Sequence, residues 1–61
     1  MSKETLRAKI AALTDEQIEE GAVALEGRTP EERFVRAWMI DEYERRHGEE
    51  AADKLMEACG L

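Results

Sequence analysis

The chain has 61 residues, enough for one small domain and no more. Charged residues make up 39% and hydrophobic ones 43%, and 9 Lys and Arg stand against 15 Asp and Glu for a net charge of -6, which excludes the uniformly basic surface behind non-specific nucleic-acid binding. No run approaches the roughly 18 apolar residues of a membrane span, no signal-peptide h-region is read at the N-terminus, and the single cysteine cannot close an internal disulfide, so a soluble cytoplasmic protein is expected.

No segment alternates with period two, β-branched residues are few, and the one proline and four glycines fall where helices should start, bend or stop. The pattern predicts an all-α chain, a small bundle of three to four short helices forming a single domain over residues 1–61. A first helix is expected from about Ser2, with Leu6, Ile10 and Leu13 on one stripe. Thr14 followed three residues on by Gln17 is a capping-box arrangement and predicts the start of a second helix. Its stripe is Ile18, Ala22 and Leu25, Gly21 lies inside it at some cost in propensity, and Gly27 is the expected C-terminal stop. Thr29-Pro30-Glu31-Glu32 is the clearest punctuation. Thr29 can accept from exposed amides, Pro30 suits the first helical position, and Glu32 can reach back to the cap. A third helix should run from Pro30 to about His47 and end at Gly48, and a fourth from about Glu49 to Cys59 should place Ala52, Leu55, Met56 and Cys59 on one face.

The third helix differs from the others. At 100° per residue, Phe34, Val35, Ala37, Trp38, Met39, Ile40 and Tyr43 spread round nearly its whole circumference. Such a helix is either enclosed by its neighbours or has two separate faces to bury. A chain this short has little core of its own, and oligomerisation or a bound partner is a common remedy. The sequence therefore points to a homodimer with the third helix at its centre. Aromatic and Met residues at helical spacing are ordinarily core, and they are also enriched at interface centres with charged rims. We accordingly take Phe34, Trp38, Met39 and Tyr43 as apolar anchors, and Arg36, Arg45 and Arg46 as rim charges, of a surface for an unidentified protein partner.

Charge is uneven along the chain. Lys3, Arg7 and Lys9 outnumber Glu4 over residues 1–13, whereas residues 14–27 hold Asp15, Glu16, Glu19, Glu20 and Glu26 with no base. The second helix is thus an acidic ridge, ordinarily a solvated outer face that also suits a helix N-terminus. Glu16, Glu19, Glu20 and Glu26 form the alternative reading of an acidic decoy surface. A second alternative is a small dimeric helix-turn-helix-like regulator. Two helices join through Glu26-Gly27-Arg28-Thr29, with Arg28, Arg33 and Arg36 as the phosphate- or base-contacting residues. Glu31 and Glu32 oppose that reading, because they occupy the end of the helix that would meet the DNA.

No constellation supports catalysis. There is no glycine-rich phosphate loop, no Ser-His-Asp set and no zinc-ligand spacing. Glu44 and His47 have the i, i+3 spacing of di-metal carboxylate bundles, which Glu16 or Glu19 could complete. His47 nevertheless abuts a predicted helix end among charged flanks, where the dipole accommodates a histidine. Cys59 lacks an adjacent base and reads as a thiol on the apolar face of the fourth helix. A non-enzymatic protein without cofactor or metal is expected.

The stretch Arg28-Thr29-Pro30-Glu31-Glu32-Arg33-Phe34-Val35-Arg36-Ala37-Trp38, continuing through Tyr43-Glu44-Arg45-Arg46-His47, resembles a segment of small uncharacterised helical proteins of actinobacteria and their phages and plasmids. Leu13-Thr14-Asp15-Glu16-Gln17-Ile18 fits the same resemblance, which covers about half the chain. It implies a small protein encoded by a mobile element that acts on host machinery by binding, and it assigns no role to individual residues.

Overall fold

Two threonines divide the front half of the chain. The Thr14 hydroxyl accepts from the Gln17 amide at 3.2 Å, and the Gln17 side chain accepts from the Thr14 amide at 2.9 Å, so both halves of the capping box form. The Thr29 hydroxyl accepts from the Glu32 amide at 3.1 Å, ahead of Pro30. Here the box closes differently from expectation: the Glu32 carboxylate accepts from the Thr29 hydroxyl at 3.1 Å. The computed structural model describes residues 3–61, and the helix start expected near Ser2 lies outside the described residues. Four helices follow: α1 (Lys3–Ala11), α2 (Asp15–Ala24), α3 (Pro30–His47) and α4 (Glu49–Ala58), with no strand among the described residues. No described helix is long and apolar enough to cross a membrane.

Helix α3 is the common support. Its 18 residues extend about 27 Å at 1.5 Å per residue, comparable with the longest dimension of the molecule, 30 Å. The other three helices pack against it, α4 and α2 most extensively and α1 less so. Ile18 and Ala22 of α2, Ile40 of α3, and Ala52 and Leu55 of α4 form the buried cluster. Leu13, Met39, Tyr43, Met56 and Cys59 pack against it half-buried. The expected stripe of α4 and Ile18 and Ala22 of the α2 stripe thus close the core, whereas Leu25, expected on the same stripe, lies past the end of α2 and outside the cluster. Ile10 is buried separately on the α1 side, beside Trp38.

Three glycines explain how the helices meet. A methyl group on Gly21 would lie 3.0 Å from the Met39 Cε, so the glycine inside α2 is where Met39 of α3 comes closest. Gly48 has φ 95° and ψ 172°, a region nearly closed to L side chains, and it turns the chain directly from α3 into α4. Gly27 is not the α2 stop that its position predicted. The helix ends at Ala24 and leaves through Leu25 in an extended conformation, so no left-handed C-cap forms. Gly27 instead has φ 70° within the α2–α3 connection, where a methyl group would lie 2.9 Å from the Arg36 guanidinium. Two further boundaries shift slightly: Leu13 lies past the end of α1, in the turn, and Cys59 is the C-cap of α4.

Candidate interaction surface

The residues singled out on α3 do not share one surface. Met39 and Tyr43 turn inward: Met39 packs under Gly21, and Tyr43 packs on the core while its hydroxyl donates to Glu19 at 2.6 Å. The Tyr43 ring also lies 4.7 Å from the His47 ring. Phe34 points the other way and is 61% exposed. Trp38 is half-buried between the two sides, stacked on Phe34 at 6.3 Å between centroids with the Arg7 guanidinium 5.4 Å above its ring. Of the four anchors, Phe34 and Trp38 therefore share the outward side of α3, while Tyr43 opens onto a separate groove beside Glu19, Val23 and Lys54.

The arginines separate in the same way. Arg46 is committed within the chain, its side chain only 23% exposed. Its Nη1 donates to the Leu13 carbonyl at 2.8 Å and to Asp15 at 3.0 Å, its Nη2 to the Ala11 carbonyl at 2.9 Å, and its Nε to Glu42 at 2.9 Å. One planar guanidinium thus satisfies carbonyls left over at the end of α1 and grips the first residue of α2. His47 adds a contact to the second Asp15 oxygen at 2.9 Å. Arg45 stays largely exposed while its Nη2 meets both oxygens of Glu42 at 2.8 and 3.0 Å.

The charges of this cluster respond accordingly. The hydrogen bond from Arg46 is the main reason that Asp15 titrates below its ordinary value, with burial opposing and His47 assisting. Glu42 is lowered chiefly by Arg45 and then by Arg46, and Arg46 is raised chiefly by Asp15 and then by Glu42. Tyr43 is raised, first because its hydroxyl donates to Glu19 and second because of burial. Nothing in the sequence pattern announced the Arg46 contacts, which span 31 to 35 residues.

The three arginines of the DNA-binding alternative gather around the α2–α3 connection. Arg33 Nε donates to the Gly27 carbonyl at 2.9 Å and Arg36 Nη1 to the Leu25 carbonyl at 3.4 Å. Arg28 pairs with Glu26 at 2.6 Å, both side chains being exposed. Their first role is to hold their own loop. Of the acidic set, Glu19 serves Tyr43 and Glu26 serves Arg28, while Glu16 and Glu20 are exposed on α2. Among the described residues no group of three or more His, Cys, Asp or Glu side chains could hold a metal ion. Cys59 is a free, half-buried thiol packed on the core.

One open groove of about 300 Å³ lies between α2 and α4 beside Val23 and Tyr43; the outward side of α3 is open as well, flanked by two more. One, of about 440 Å³, runs between α1 and α3 past Ile10, Trp38, Asp41 and Arg45. The other, of about 310 Å³, lies between α3 and the C-terminal residues, lined by Arg33, Ala37, Ile40, Met56 and Leu61. Between them run Phe34 and Ala37, both exposed, and Leu61 adds a third exposed apolar side chain at 63%. Leu61 was not singled out in the sequence, and Ala37 entered there only as one of the seven apolar residues spread round α3. Comparison with protein-family models, curated proteins and solved structures finds no match to this chain.

Proposed function

We propose that this chain is a non-catalytic helical interaction module that works by protein–protein contact through the outward side of α3. The observation that carries the reading is the Phe34–Trp38 stack. A phenylalanine 61% exposed beside a half-buried tryptophan, on a helix whose inward side is covered, is the composition of an interface centre. Arg33, Asp41 and Arg45 surround it as rim charges that set specificity. Arg46, Met39 and Tyr43 act in this reading by holding α3 in place. In the setting that the resemblance of residues 28–47 implies, the module meets host machinery in the cytoplasm.

The test is affinity capture of the tagged chain from lysate of its source cells after nuclease treatment, wild type beside Phe34→Asp. A stoichiometric protein that survives nuclease and is lost with Phe34→Asp supports the reading. Capture indifferent to Phe34→Asp removes the site from α3. Recovery that disappears with nuclease transfers the function to nucleic acid and sends Arg33 and Arg36 to mutagenesis.

A further inference from the structure

Arg33, Ala37 and Asp41 recur every four residues along α3, so they form one ridge of the helix surface, and all three are exposed. Phe34 and Trp38 form the adjoining ridge. Read along the helix, the first ridge is positive, small, negative. That order is self-complementary in one orientation only. When two such ridges run antiparallel about a two-fold axis through Ala37, each Arg33 meets Asp41 of the other copy. When they run parallel and in register, like charges meet. Eight residues separate Arg33 from Asp41, about 12 Å along the axis, so the two ion pairs sit about 6 Å to either side of the crossing point.

Three further observations agree with this arrangement. Asp41 makes no ion pair among the described residues, although its helix is rich in arginine. The Arg33 Nε is fixed on the Gly27 carbonyl, which holds the guanidinium at the edge of this face with Nη donors left for an acceptor. Ala37 at the crossing lets two helix axes approach to the short end of the usual 8–10 Å. A ridge seated between the Arg33–Ala37–Asp41 row and the Phe34–Trp38 row of its mate would cover both aromatics. The gain matters because the core is thin: two of its six buried residues are alanines, and a domain of about 60 residues buries only about 60% of its unfolded surface by itself.

We infer that the occupant of the outward α3 face is a second copy of this chain, packed antiparallel about Ala37 with reciprocal Arg33–Asp41 pairs. The inference rests on the reading of that face as a protein contact and names what it contacts. By symmetry the interface is isologous and closes at two copies.

Sedimentation equilibrium across the micromolar range tests it, with circular dichroism to verify that each variant keeps its helices. The wild type is expected to be a dimer. Ala37→Glu sets two carboxylates together on the axis at an exposed position, and Asp41→Arg turns both pairs repulsive. Each should weaken association by more than about tenfold. Combining Arg33→Asp with Asp41→Arg restores the pairs with reversed polarity and should recover the dimer. A wild type that stays monomeric throughout, or a dimer indifferent to both Ala37→Glu and Asp41→Arg, overturns the inference. A monomeric wild type that still captures another protein through Phe34 overturns the second copy alone. A monomer with no Phe34-dependent capture overturns the function as well.

Discussion

Gly48 offers a direct test of how α3 and α4 are joined. It has φ 95° and ψ 172°, serves as C-cap of α3 and N-cap of α4, and has nothing within 4 Å of where a Cβ would project. Replacing it by L-alanine therefore creates no clash with a neighbour, and the cost is the backbone's alone, about 1–3 kcal/mol for a residue held in a region reserved for glycine. D-alanine has mirror-image preferences, and the mirror image of this conformation is ordinary extended backbone. The D residue should be accommodated and should stabilise by about 0.4–1 kcal/mol by restricting the unfolded chain. At 61 residues the chain is within reach of chemical synthesis, so both epimers can be made and melted by circular dichroism at 222 nm. With about 4–8 °C of melting temperature per kcal/mol for a domain of this size, Gly48→Ala should melt below wild type and its D-epimer slightly above. Two epimers that melt together, or an L form more stable than the D form, would refute backbone strain at position 48.

Two other predictions follow from the core and the polar cluster. Ile18 is fully buried, so Ile18→Ala should cost about 2–5 kcal/mol in urea unfolding, whereas Val23→Ala, at a position 50% exposed on the same helix, should cost far less; equal effects would misplace the core. The pH profile of stability should fall at both ends. Asp15 and Glu42 are lowered in the folded state, so the stability they contribute is fully present above their ordinary values near pH 4 and is lost as pH falls through the lowered ones. Tyr43 is raised, so its contribution is complete below about pH 10 and is lost as pH rises through the folded value. Arg46→Met should flatten the acid limb. Glu19→Gln should lower the alkaline midpoint of tyrosinate absorbance, which reports Tyr43 alone because the chain has one tyrosine. Unchanged acid and alkaline limbs in these variants would contradict the assigned causes.

The sequence by itself determined the helices and most of their ends. Thr14 with Gln17, Thr29 with Pro30, and Gly48 act through hydrogen bonds or backbone angles that close within three or four residues, so their meaning is local and legible. The α4 stripe and Ile18 and Ala22 of α2 were legible for the same reason, since one apolar face can only be a buried face. Gly27 misled because a glycine after a helix is a cap only if the chain arrives there in helical form, and Leu25 leaves earlier. The orientation of α3 was beyond local reading. A helix apolar almost all round carries no moment to say which side is inside, and its neighbours decide: α2 and α4 take Met39, Ile40 and Tyr43, α1 half-covers Trp38, and Phe34 stays outside. Tertiary structure also decided which arginines belong to the fold. Arg45 and Arg46 are adjacent and chemically identical in sequence, yet only Arg46 faces the carbonyls of Ala11 and Leu13, because the 100° between consecutive helical residues turns one toward the α1–α2 turn and the other toward solvent.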